Sequence, residues 1–149
     1  MVNSEDSVKP IIILLVEDNP ADVRLTQEAL KEWHLLNVLY TVKDGIEAMA
    51  FLRREASYKD MPCPDLIFLD LNLPRKDGRE VLKEIKSDDT LRRIPVVVLT
   101  TSKAEDDIMQ TYSDHANCFI TKPVDLDQFI DVIKSIKEFW VNIATLPSK

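Results

Sequence analysis

Three short runs of consecutive apolar residues, Ile11 to Val16, Leu66 to Leu69 and Val96 to Leu99, stand out along the chain. Each is too short for a helix and rich in Ile, Val or Leu, as strands buried on both faces are. Two weaker runs, Val38 to Val42 and Cys118 to Thr121, complete five strands. Between them the apolar positions recur with helical period over Asp22 to Trp33, Gly45 to Arg54, Arg79 to Ser87, Lys103 to Ser113 and Leu126 to about Ile143.

The helix starts are marked locally. Asn19 is placed to cap with Pro20 at the first helical position, and Asp44-Gly-Ile-Glu47 and Ser102-Lys-Ala-Glu105 have capping-box spacing. Parallel strands need a crossover of a dozen or more residues, and the spacing supplies one helix per crossover. The pattern therefore predicts an α/β fold: a doubly wound (βα)5 unit whose five-stranded parallel sheet carries helices on both faces.

Charge and composition narrow the function. The 149 residues carry 19 Lys plus Arg against 26 Asp plus Glu, a formal net charge of −7. Such a field repels phosphate backbones and anionic lipid, so neither a nucleic acid nor a membrane surface is an expected partner. The only glycines, Gly45 and Gly78, are too far apart for a dinucleotide-binding loop or a P-loop. Cys63 and Cys118, with His34 and His115, have no zinc-site spacing. Both cysteines are expected as reduced, semi-buried packing residues and both histidines as surface or structural ones. The first ten residues are polar and no apolar run approaches the roughly 18 residues of a membrane span, which predicts a cytoplasmic protein.

Ligands of an open parallel sheet bind beyond the carboxyl ends of its strands. There the chain has Glu17-Asp18 after the first strand, Asp70 after the third, Thr100-Thr101 after the fourth and Lys122-Pro123 after the fifth. Each group alone has a plain explanation. Glu17-Asp18 would suit a helix N-terminus, Asp70-Leu-Asn72 a turn, Thr100-Thr101 a strand, and Lys122 the surface. Convergence on one rim from four strands is not explained by solvation alone.

These residues lie in motifs that resemble the receiver domains of two-component response regulators: LVEDNPAD, LIFLDLNLPRKDG, VVLTTS and FITKP. The likeness runs from about Ile11 to about Ile143, so one receiver domain over 1–149 is expected, with short extensions and no output domain. The stretches RREASYKDMPCPDLIFLDLNLPRKDGREVLKEIK and IPVVVLTTSKAEDDI, with the late Phe139-Trp140, are similar to the small single-domain regulators that partner cyanobacterial phytochromes.

The resemblance implies a flavodoxin-like strand order of 2-1-3-4-5 and a phosphorelay role. Asp70 would accept a phosphoryl group from a phosphohistidine of a phytochrome-type sensor histidine kinase. Mg²⁺ would be held by Asp18, Asp70 and the carbonyl of Asn72, with Glu17 acting through water, while Lys122 neutralises charge on the transferring oxygens. Thr100 would then move toward the phosphate and Phe119 rotate into the space vacated. The chain departs from the common receiver pattern at Glu17, where Asp is commoner, at Phe119, which lacks a tyrosine hydroxyl, and at Thr101, whose bulk restricts access to the phosphoryl site. No enzymatic turnover beyond slow autodephosphorylation is expected. A phosphohydrolase of the haloacid dehalogenase type would need an Asp where Asn72 stands. A constitutive interaction module would be favoured by loss of Asp70, Lys122 or a metal ligand, and all are present.

The last helix has apolar residues at Leu126, Phe129, Ile130, Ile133, Ile136, Phe139, Trp140 and Ile143, more than one sheet edge needs. A homodimer through the fourth helix, fifth strand and fifth helix is expected, anchored by Phe139 and Trp140. The alternative is that these aromatics fold back on their own domain.

Overall fold

The computed structural model describes residues 10–33, 36–100, 116, 118–122 and 125–135. Five strands, β1 (Ile11–Val16), β2 (Asn37–Val42), β3 (Leu66–Asp70), β4 (Val96–Thr100) and β5 (Cys118–Thr121), form one sheet. Its order is β2-β1-β3-β4-β5 and every pairing is parallel, as expected.

The three apolar runs carry no polar alternation because both faces of the sheet are covered. Side chains alternate along each strand, so one run feeds two cores. Leu14, Val16, Ile67, Leu69, Val96 and Val98 face helices α2 (Gly45–Arg53) and α3 (Gly78–Ser87), packing with Phe51, Val81, Leu82 and Ile85. Ile13, Leu15, Leu66, Phe68, Val97 and Leu99 face the other way, against Leu30 of α1 (Pro20–Lys31) and Phe129 of the C-terminal helix Leu126–Ser135. Phe129 is buried between Trp33 and Phe68, with edge-to-face ring centroids at 4.6 and 5.4 Å.

The caps explain where the helices begin. The Asn19 side chain accepts from the amides of Ala21 and Asp22, so α1 starts at Pro20, where the cap places it. Trp33 lies past the end of α1 and serves the core from outside the helix. Asp44 caps α2 by accepting from the Glu47 amide at 2.8 Å, yet Glu47 does not complete a reciprocal box; its Oε1 accepts from the Tyr58 hydroxyl, also at 2.8 Å. Arg54 ends α2 in the left-handed region, at φ 56°. Cys118 is half-buried as expected, but Cys63 is exposed rather than semi-buried. It lies between Pro62 and Pro64 in an irregular segment ahead of β3, where its own side chain points to solvent. The predicted helix Lys103–Ser113, the continuation from Ile136 to Ile143, His34 and His115 lie outside the described residues. No helix among the described residues is long and apolar enough to cross a membrane.

Candidate functional site

Four strand ends meet at one rim of the sheet. The amide of Glu17 donates to the Val42 carbonyl at 3.0 Å, which prolongs the β1 ladder by one residue. Extended backbone alternates sides, so Glu17 turns inward and is buried while the next residue, Asp18, is exposed. Asp70 is the last residue of β3 and is buried. Carboxylate oxygens of Glu17, Asp18 and Asp70 all lie within 4.8 Å of one another.

Lys122 follows β5 and is anchored by its own amide, which donates to the Thr100 carbonyl at 2.9 Å. Its ammonium reaches Glu17 Oε1 at 2.7 Å, Asp22 Oδ2 at 3.0 Å and Asp70 Oδ2 at 3.1 Å. The other Asp70 oxygen accepts from the amide of Asn72 at 3.0 Å. Each Asp70 oxygen therefore has a defined donor. Thr100, buried at the end of β4, follows Leu99, the register partner of Asp70. Phe119 sits half-buried in β5 opposite Val98 and packs against the core shared with α2 and α3. Thr101, Phe139 and Trp140 lie outside the described residues.

The electrostatics follow from too many acids in too little water. Burial lifts the Glu17 carboxyl to about 7; the ammonium of Lys122 opposes that rise, and the charge of Asp70 adds to it. Burial alone would lower the Lys122 ammonium, but its contacts with Glu17, Asp22 and Asp70 outweigh that and hold it well above the usual lysine range. Lys122 is thus charged at any physiological pH, while Glu17 titrates near neutrality. Glu17 Oε1 is buried against the Lys122 ammonium as an ion pair. Clustered hard carboxylate oxygens on one rim fit a hard divalent cation such as Mg²⁺.

The loop from β3 to α3 is held tightly against this site. The Gly78 amide donates to the Leu71 carbonyl at 3.1 Å, and a Cβ at Gly78 would lie 2.2 Å from the Asp70 carbonyl oxygen. Arg75, in the left-handed region at φ 67°, places Nη1 3.2 Å from Asp44 Oδ2. Gly45 lets the Lys76 backbone approach α2, since a Cβ there would lie 2.3 Å from the Lys76 carbonyl oxygen.

The structure therefore brings Glu17, Asp18, Asp70, Asn72, Thr100 and Lys122 to one rim, and sets Phe119 one strand away. Sequence reasoning missed Asp22, read only as the first residue of a helix. Its local sequence carries the signal of a helix start alone; the contact with Lys122 places it on the rim.

The profile of the response regulator receiver domain matches residues 13–134. Response regulator Rcp1 of Synechocystis sp. is 50% identical over 145 residues, 97% of this chain and 99% of that protein. Among solved structures, the phosphorylated cyanobacterial phytochrome response regulator RcpA is 58% identical with a TM-score of 0.77, covering 94% of this chain and all of the other. The Mn²⁺-bound form of Rcp1 is 51% identical with a TM-score of 0.76, covering 93% of this chain and 99% of the other. The bacteriophytochrome response regulator AtBRR is 42% identical with a TM-score of 0.80, covering 89% and 96%.

Proposed function

Because the chain belongs to the response regulator receiver family and is homologous to the cyanobacterial phytochrome response regulators, we propose that it receives a phosphoryl group on Asp70 from a phytochrome-type histidine kinase. Family membership makes it a phosphoacceptor whose partner is in general a histidine kinase. The finer assignments rest on the rim. The observation that carries them is Lys122 Nζ held 3.1 Å from Asp70 Oδ2 beside three convergent carboxylates.

In this reading Asp70 Oδ attacks phosphorus, the P–N bond of the phosphohistidine breaks, and the imidazole leaves with its electron pair. Asp18, Asp70 and the Asn72 carbonyl would hold Mg²⁺ directly, with Glu17 through water; when bound, the ion neutralises charge on the phosphoryl oxygens. The amide of Asn72 fixes one Asp70 oxygen. The permanently charged Lys122 pairs with the phosphoryl oxygens that replace the free carboxylate. Thr100 then donates to a phosphoryl oxygen and Phe119 rotates inward, biasing the face that includes β5, while Thr101 limits access of water to the acyl phosphate.

The product is a conformation, with no turnover beyond slow autodephosphorylation. The receiver domain acts in the cytoplasm. It pairs as a homodimer through the segment 103–113, β5 and the last helix, anchored by Phe139 and Trp140. Sedimentation of Trp140→Ala tests that pairing: a fall in mass supports it, and a monomer in the wild type with and without beryllofluoride contradicts it.

Phosphotransfer profiling against the purified histidine kinases of the source organism tests the function itself. Fastest transfer to Asp70 from a phytochrome-type kinase is expected. Equal transfer from unrelated kinases would overturn the pairing, and repeated rapid phosphate release would favour a hydrolase.

A further inference from the structure

Of the three acids that meet Lys122, two belong to the convergent group that would hold a cation and one does not. Glu17 and Asp70 share that group with Asp18, and Asp22 stands outside it. The distinction matters when the site is loaded. A cation draws on the Glu17 and Asp70 oxygens, and a phosphoryl group caps an oxygen of Asp70, so both of these partners of Lys122 change. Asp22 is the partner that stays as it was.

Asp22 is also rigidly placed. Its amide donates to Asn19 Oδ1 at 3.4 Å, and its carbonyl accepts from the buried Thr26 hydroxyl at 3.0 Å. An acid in the first turn of a helix stabilises the macrodipole wherever its side chain points. That general effect does not account for an Oδ2 held 3.0 Å from an ammonium whose side chain is only 9% exposed.

Resting on the reading of Asp70 as phosphoacceptor, we propose that Asp22 is a positioning residue for phosphoryl transfer. It keeps the Lys122 ammonium aimed at the rim while Glu17 and Asp70 are engaged by cation and phosphoryl group. Partners one step removed from the reacting atoms act in this way, fixing the orientation of the groups that touch them. Without Asp22, Lys122 falls back on Glu17 and Asp70 and has to be pulled from them before it can meet the phosphoryl oxygens.

The test is the rate of Asp70 labelling by acetyl phosphate at saturating Mg²⁺ in wild type, Asp22→Ala, Asp22→Asn, Lys122→Ala and the Asp22→Ala/Lys122→Ala double variant. Asp22→Ala should slow labelling about tenfold. Its Mg²⁺ half-saturation should move much less, and Asp22→Asn should fall between it and wild type. Adding Asp22→Ala to Lys122→Ala should change nothing further, which a macrodipole or folding role would not produce. Beryllofluoride affinity at fixed Mg²⁺, by titration calorimetry, reads the same dependence without chemistry and covers variants that label too slowly. An Asp22→Ala rate equal to wild type, or an equal loss with and without Lys122, overturns the proposal. Failure of the wild type to label would instead overturn the phosphoacceptor reading and the Asp22 role with it.

Discussion

Replacing Gly78 by Ala tests whether the phosphoacceptor strand is wedged against α3 as tightly as the geometry requires. The new Cβ would lie 2.2 Å from the Asp70 carbonyl oxygen, 2.7 Å from Leu71 Cα and 3.0 Å from the Leu71 carbonyl oxygen. All three are backbone atoms, so no side chain can swing aside. Helix α3 cannot retreat, because Val81, Leu82 and Ile85 are fully buried in the core. Displacement therefore falls on Asp70 to Asn72, the stretch that carries the phosphoacceptor. Overpacking of this kind costs about 1–3 kcal/mol, and the better helix propensity of Ala returns less than about 1 kcal/mol at a first helical position. A net loss of about 1–2 kcal/mol corresponds to a fall in Tm of about 2–8 °C for a domain of this size. Scanning calorimetry measures it, with Lys83→Ala on the exposed face of α3 as control. Divalent-metal affinity should fall in parallel. A Gly78→Ala protein as stable as wild type, with unchanged metal affinity, would refute the wedge.

Two further perturbations probe the carboxylates. Asp18→Ala should weaken Mg²⁺ binding, read by Trp fluorescence, and raise metal-free stability slightly, because neighbouring carboxylates repel one another without a cation; unchanged affinity would remove Asp18 from the metal set. Glu17→Gln should separate from wild type as pH rises. Since the folded carboxyl titrates near 7 against an ordinary 4.5, the folded state holds a proton that the unfolded chain has released between those values. Wild-type metal-free stability therefore declines across that window relative to Glu17→Gln, and added Mg²⁺ should cancel the difference. Urea titrations across the window check this, and a constant gap between the two proteins would contradict it.

The sheet was legible in the sequence because its three central strands are buried on both faces, so that Ile11 to Val16, Leu66 to Leu69 and Val96 to Leu99 read as unbroken apolar runs. Asn19 and Asp44 were legible as caps because a short polar side chain ahead of an apolar period has few other uses. What escaped was decided by direction in space. Glu17 and Asp18 are adjacent and chemically alike, yet one is buried and the other exposed, a difference set by the β1–β2 ladder. Asp22 has the sequence context of an ordinary helix start, and its role at the rim appears only once Lys122 arrives from the far end of the chain, 100 positions later. Glu47 was diverted from its capping box by Tyr58, a residue outside any local pattern.

The central claim is that Asp70 is the phosphoacceptor of a metal-dependent receiver, and its most direct test is intact-mass measurement with peptide mapping after incubation with acetyl phosphate and Mg²⁺. Wild type should gain the mass of one phosphoryl group, located on Asp70, and lose the label when a chelator is present from the start. Asp70→Asn, nearly isosteric and without a nucleophilic carboxylate, should stay folded and gain none. Labelling of Asp70→Asn equal to wild type, or a wild-type label mapped to another residue, would contradict the account.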